Sequence, residues 1–131
     1  MKAILKYPSI FAVGAAGYSL IELVYRGRTH WSMALTGGIC LCGIYAINRL
    51  SMLRLSIKAA ICAVFITEVE FIVGCLVNIV FKMEVWDYSA QPGNILGQVC
   101  PLFCFLWMLL SVGVLTALNI MADKEPSGAA V

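Results

Sequence analysis

Apolar positions gather into four long runs along this chain, separated by short polar stretches, and within the runs they do not alternate with polar ones. A helix needs roughly 20 residues, about 17 to 25, to cross a hydrocarbon core about 30 Å thick. The runs that meet this length are Ser9 to Tyr25, Trp31 to Ile47, Ala59 to Phe81 and about Ile95 to Ile120. The first is entered through Pro8, which a helix tolerates in its first turn. Spanning strands would be about 10 residues of alternating polarity, so the pattern predicts helices and not a barrel. The expected fold is therefore an all-α integral membrane bundle of four transmembrane helices over residues 1–122. A short polar, disordered tail over 123–131 follows it, with Asp123, Lys124, Glu125 and Pro126 before Ser-Gly-Ala-Ala-Val. Lys2 and Lys6 ahead of an apolar run and the small residues Ala15, Ala16 and Gly17 also fit a signal peptide. The run continues through Ser19 to Tyr25, however, as a spanning helix does.

Composition agrees with the pattern. The 131 residues are 62% hydrophobic and 12% charged, with a mean hydropathy of +0.94, whereas soluble domains are about half apolar and about a quarter charged. A soluble domain of this size could not hide so much apolar surface, so the bilayer is the first partner. The net charge of +2 comes with basic residues scattered between the runs, which argues against nucleic-acid binding. With the N-terminus inside, Lys2, Lys6, Arg49, Arg54, Lys58 and Lys124 face the cytoplasm, against Arg26, Arg28 and Lys82 outside. That bias predicts a multi-pass plasma-membrane protein with both termini cytoplasmic. Tyr25, Trp31, Trp86 and Tyr88 then fall at the outer interface, where aromatic rings are enriched.

The six cysteines, Cys40, Cys42, Cys62, Cys75, Cys100 and Cys104, all fall inside the predicted spans. Disulfide frameworks lie in oxidising loops, whereas thiols in a span act as small apolar residues. Cys100 and Cys104 are one turn apart and Cys40-x-Cys42 would suit a soft metal ion. No histidine accompanies them, and His30 is expected solvated in a loop, so no metal and no cofactor are expected.

Carboxylates within the spans carry the strongest chemical signal, because an ionisable group at the bilayer centre costs several kcal/mol and normally faces the bundle interior. Glu68 and Glu70 lie near the middle of the third run, about 200° apart around a helix. Thr67, Glu70, Gly74 and Asn78 fall within about 80° of one another, a polar and small-residue stripe expected to face other helices. Glu68 lies on the opposite side with Ile72, Cys75 and Ile79, where it needs shelter from a second subunit. Glu22, near the outer end of the first run, either reaches water or pairs with Arg26 one turn on. Ala34, Gly38 and Cys42 form a small-xxx-small pattern that brings helices close. Together with Glu68 it predicts a homodimer with Gly38 as a leading contact. Asn94, Gln98 and Pro101 share a face of the fourth run, where a proline frees a carbonyl in the preceding turn.

Between the third and fourth runs, Trp86-Asp87-Tyr88-Ser89-Ala90-Gln91-Pro92-Gly93-Asn94 is dense in hydrogen-bonding groups, and Pro92-Gly93 marks a turn. Asp87 and Asn94 could cap helix ends or hold the loop against the outer mouth of the bundle. The run Trp86-Asp87-Tyr88-Ser89, followed by Pro92, Asn94, Gly97, Gln98 and Trp107, resembles the signature of the family called "putative ABC-transporter type IV". Glu70, Phe71 and Gly74, with Tyr18 and Glu22, extend the resemblance over most of the chain. It implies a small membrane protein of transporter type, yet the chain holds no G-x-x-x-x-G-K-[ST] nucleotide-binding motif.

Two function classes stay open at this point. One is a transporter or channel-like subunit, with Glu70 and Glu22, and then Glu68, Thr67 and Asn78, as candidate pathway residues for a proton, small ion or metabolite. Trp86, Asp87, Tyr88, Ser89, Asn94 and Gln98 are its candidate outer-loop residues. The other is a non-transporting component that binds lipid or a partner protein, its acidic residues and loop serving assembly. No nucleophile, base and orienting group are recognisable together, so no enzyme is expected.

Overall fold

The computed structural model describes residues 2–50 and 52–124. The chain forms α1 (Lys2–Arg26), α2 (Trp31–Asn48), α3 (Leu55–Gly74) and α4 (Pro101–Lys124), with α3 continued by a π-helical segment, Cys75–Val80. Counting that segment with α3, four helices among the described residues are long and apolar enough to cross a membrane. The fold is thus the all-helical, four-span bundle that the run lengths predict.

The ends of the helices differ from the sequence expectation in informative ways. α1 begins at Lys2, so Pro8 sits inside the helix and not in its first turn. Its missing N–H removes one bond of the helical ladder, a loss tolerated where a carbonyl can still find other partners near the membrane surface. α4 begins at Pro101, so Ile95 to Cys100 belong to the preceding loop. Proline is well placed at a first helical position and disfavours helix in the residue before it. Pro101 therefore starts a helix and frees no carbonyl within one, and Cys100 lies outside the span. At the other end α4 runs on through Asp123 and Lys124, and residues 125–131 of the expected tail lie outside the described residues. His30 is half-buried, and its Nδ1 caps α2 by accepting from the Ser32 backbone N–H at 3.2 Å.

α1 packs on α2, α2 on α3, and α3 on α4, with α2 also touching α4. Glycines set the first of these approaches. A Cβ at Gly14 would stand 2.5 Å from the Gly37 carbonyl oxygen, and one at Gly38 would stand 2.6 Å from the Phe11 ring. The face containing Ala34, Gly38 and Cys42 is thus occupied by α1 of the same chain, with Cys42 Sγ 3.7 Å from the Tyr7 carbonyl. Gly38 as a leading contact between two copies is corrected accordingly, since Phe11 already fills the space that its missing side chain leaves. Cys40, Ile44, Ala59, Cys62, Ile66 and Leu115 make the central core of α2, α3 and α4. Met33, Val77, Val85 and Trp86 form a second cluster at the loop end. Leu20, Val24, Ile72, Val80, Phe105 and Leu109 stay exposed, as side chains facing lipid would.

Candidate functional site

The loop 81–100 is built by a few well-placed amides. Where the wide π turns end, the Phe81 N–H donates to the Leu76 carbonyl at 2.9 Å and the Met83 N–H to that of Val77 at 2.7 Å. Asn78 Oδ1, turned out by that segment, accepts from the Val85 N–H at 2.7 Å and the Trp86 N–H at 3.4 Å. Its Nδ2 donates to Gln98 Oε1 at 2.7 Å. Trp86 Nε1 donates to the Gln98 carbonyl at 3.0 Å. Gly74 permits this closure, because a Cβ there would lie 2.6 Å from Gln98 Oε1 and 2.8 Å from Trp86 Cζ2.

Beyond Trp86 the chain turns on Asp87 and Asn94. Asp87 Oδ1 accepts from the Ser89 N–H at 2.8 Å, and this backbone bond, helped by the Ser89 hydroxyl, holds its carboxyl below the ordinary carboxylate range. Asn94 Oδ1 accepts from the Gly97 N–H at 3.0 Å, and its Nδ2 donates to the Gln91 carbonyl at 2.8 Å. Both residues therefore brace loop turns and neither caps a helix. Gly97 has φ +71, and a Cβ there would press on Asp87 Oδ1 at 2.9 Å, so backbone conformation and space both require glycine.

This loop delivers Tyr88 to the bundle interior. The Tyr88 hydroxyl donates to Glu70 Oε1 at 3.0 Å, and Trp107 Nε1 of α4 donates to Glu70 Oε2 at 3.0 Å. Glu70 is 2% exposed, and among the described residues no lysine or arginine forms an ion pair with it. Phe103 stacks on Tyr88 with centroids 4.5 Å apart, and Tyr18 of α1 lies 5.9 Å from Trp107. Burial first and the Glu70 charge second push the Tyr88 hydroxyl above its ordinary range, so it stays a neutral donor. Trp86 and Tyr88 accordingly belong to the interior and not to an interfacial belt, whereas Tyr25 and Trp31 are well exposed.

The other expected site residues part company. Glu22 is held by Arg26, whose Nε donates to Glu22 Oε2 at 2.7 Å and whose Nη1 donates to the Val85 carbonyl at 2.9 Å, so this pair anchors the loop. Thr67 donates to the Ala63 carbonyl at 2.8 Å and leaves Glu70 to other partners. Glu68 is exposed on the far face of α3, beside Ile61, Val64 and Phe65. Ser89 and Asn94 stay with the loop turns.

One cavity borders the buried carboxylate and another lies at the loop end. The first, of about 320 Å³, lies between α1 and α4 and is lined by Val13, Gly17, Tyr18, Glu70, Trp107 and Leu110 among others. The second, of about 420 Å³ and polar, lies at the loop end between Arg26, Arg28, Asn78, Glu84, Asp87 and Gln98. Among the described residues no three His, Cys, Asp or Glu come together as a metal site would need. Residues 9–127 match the family described as "Putative ABC-transporter type IV". The chain belongs to this family. The match takes in α1 from Ser9 onward, the other three helices, the loop 81–100 and the Glu70 site, and with the four apolar helices it makes the chain a multi-pass membrane protein of a transporter-type family. No curated protein and no solved structure matches the chain.

Trp107 and Tyr18 were part of the sequence resemblance but were not expected at the carboxylate. An aromatic residue in an apolar run carries no local mark that tells an interior ring from a lipid-facing one. Their spacing from Glu70 in sequence carries none either.

Proposed function

We propose that this chain is a transport subunit of the plasma membrane, with both termini cytoplasmic, in which Glu70 takes up and releases a proton or small cation. One observation carries this: Glu70 is buried in the third span with two neutral donors, no cationic partner among the described residues and a cavity at its side. A carboxylate away from water needs its charge compensated. Two hydrogen bonds lower the cost without neutralising it, so neutrality comes from a mobile species. Glu22, already paired with Arg26, has no such need. The chain has no enzymatic role in this scheme. The homodimer keeps the exposed Glu68 as its motive, and its interface lies on the Glu68 face of α3.

A second role is favoured by the same bonds. Tyr88 and Trp107 tie the loop and α4 to α3 through Glu70, so the carboxylate could be an assembly pin in a protein that binds lipid or a partner. Glu70→Gln separates the two. Gln Oε1 accepts from Trp107, while the Tyr88 hydroxyl turns and accepts from the new amide, so both contacts survive without the charge. In liposomes carrying the purified protein, a pH step should change the carboxyl infrared bands of the wild type and leave that change missing from Glu70→Gln. Ion-driven flux over a panel of cations should be lost with it. An assembled Glu70→Gln protein with unchanged bands and flux would leave the pin as the role of Glu70.

A further inference from the structure

The cavity between α1 and α4 has a chemistry of its own. α1 packs along α2 and α4 packs along α3, but α1 and α4 leave a groove between them. Its walls are aliphatic and aromatic, from Val13 and Ile21 on one side to Leu110 and Val114 on the other, and Glu70 is its acidic group. Gly17 lies exposed on its rim, and a Cβ there would meet nothing within 4 Å. The groove therefore opens sideways through the α1–α4 face, where the surrounding medium is hydrocarbon and not water.

We propose that this groove binds a lipophilic cation, an amphiphilic or aromatic ammonium, entering from the bilayer with its charge against Glu70. The inference rests on Glu70 as the charge-exchanging group and names the class of substrate it serves. Apolar walls retain the hydrocarbon part of such a molecule as the acyl chains do. Selectivity comes from the inner end, where among the described residues Glu70 has no counter-charge and each of its oxygens accepts one hydrogen bond, leaving lone pairs free. The Trp107 and Tyr18 rings stand beside it, and aromatic faces within about 6 Å attract a cation, most strongly where water is excluded. A hydrated inorganic ion gains nothing from the apolar walls, and a neutral lipid chain gains nothing from Glu70. A cation with an apolar body uses both.

The test is equilibrium dialysis of radiolabelled decyltrimethylammonium against the full chain in nanodiscs, with empty nanodiscs as the background for partitioning. Decyldimethylphosphine oxide, of similar shape but uncharged, is the competitor. Saturable binding should appear above background, and the neutral analogue should compete at least about tenfold more weakly. Gly17→Leu, whose Cβ would meet nothing within 4 Å, projects its side chain into the groove and should weaken binding about tenfold or more, as should Glu70→Gln. Gly113→Leu, which also adds bulk where a Cβ would meet nothing within 4 Å but at an α4 position that does not line the groove, should bind as the wild type does. Equal competition by the neutral analogue, or binding insensitive to Glu70→Gln, would make the groove an acyl-chain site and overturn the inference. So would full binding by Gly17→Leu, or no saturable binding at all. In the last case a wild-type carboxyl response to the pH step would leave the proton-exchange role of Glu70 standing, whereas its absence would remove both.

Discussion

Replacing Asn78 by alanine should undock the loop 81–100 while leaving the helices in place. The Asn78 amide makes three hydrogen bonds, to the Val85 and Trp86 N–H groups and to Gln98 Oε1. Val85 is 6% exposed, Trp86 7% and Gln98 5%; the Trp86 bond is long at 3.4 Å and adds little, so the cost of alanine comes chiefly from stranding the other two buried polar groups, each costing about 1–3 kcal/mol. Asn78 also borders the polar cavity with Arg26 and Arg28, and water entering there can replace part of what is lost. The net cost is then near the lower end, about 2 kcal/mol, or roughly thirtyfold in the docking equilibrium of the loop. Hydrogen–deuterium exchange of the protein in nanodiscs reads this directly, and the Val85 amide should exchange about thirtyfold faster. Asn78→Asp is the informative comparison. It keeps an acceptor for Val85 but faces Gln98 Oε1 with a second oxygen. Gln98 cannot simply turn its amide, because its Nε2 already donates to the Leu96 carbonyl at 2.9 Å. It too should loosen the loop. Asn119→Ala, which removes only the bond from Asn48 at the opposite end of the bundle, should leave Val85 protected. Wild-type exchange at Val85 in Asn78→Ala would refute the assignment and leave the Glu22–Arg26 pair and the Trp86 ring as what holds the loop.

Gly74→Ala should destabilise the protein by about 1–3 kcal/mol through overpacking against Gln98 and Trp86, seen as a lower thermal midpoint in detergent; an unchanged midpoint would mean that the loop yields freely. Reporter fusions at the C-terminus should be active only in their cytoplasmic form, as the distribution of lysine and arginine requires, and a signal from the opposite side would reverse the orientation. In a background without native cysteines, Val64→Cys should cross-link between two copies on the Glu68 face, and Gly38→Leu should disturb α1–α2 packing without changing the oligomer mass. A monomer by mass measurement in nanodiscs would end the dimer.

The four spans were legible because their lengths answer to one external dimension, the thickness of the hydrocarbon core, and need no knowledge of neighbours. The separation of Glu70 from Glu68 was legible for a similar reason: helical rotation is local, so Glu70 falls on the side of Gly74 and Asn78 and Glu68 on the side of Ile72, which is 60% exposed. What meets each face is a different matter. The small residues around Gly38 announced a close contact, but only the position of Phe11 on α1 decided that the contact lies within the chain. Tyr88 and Trp86 looked like interfacial aromatics because the loop's backbone path, set by Asn78, Gly74 and Gly97 together, is not encoded in any short window. Glu70 on α3 and its partners on the loop and on α4 come from three separated segments. Their meeting is a product of packing, since hydrogen bonds between distant residues leave no periodicity behind, and the groove beside them exists only because α1 and α4 stand apart.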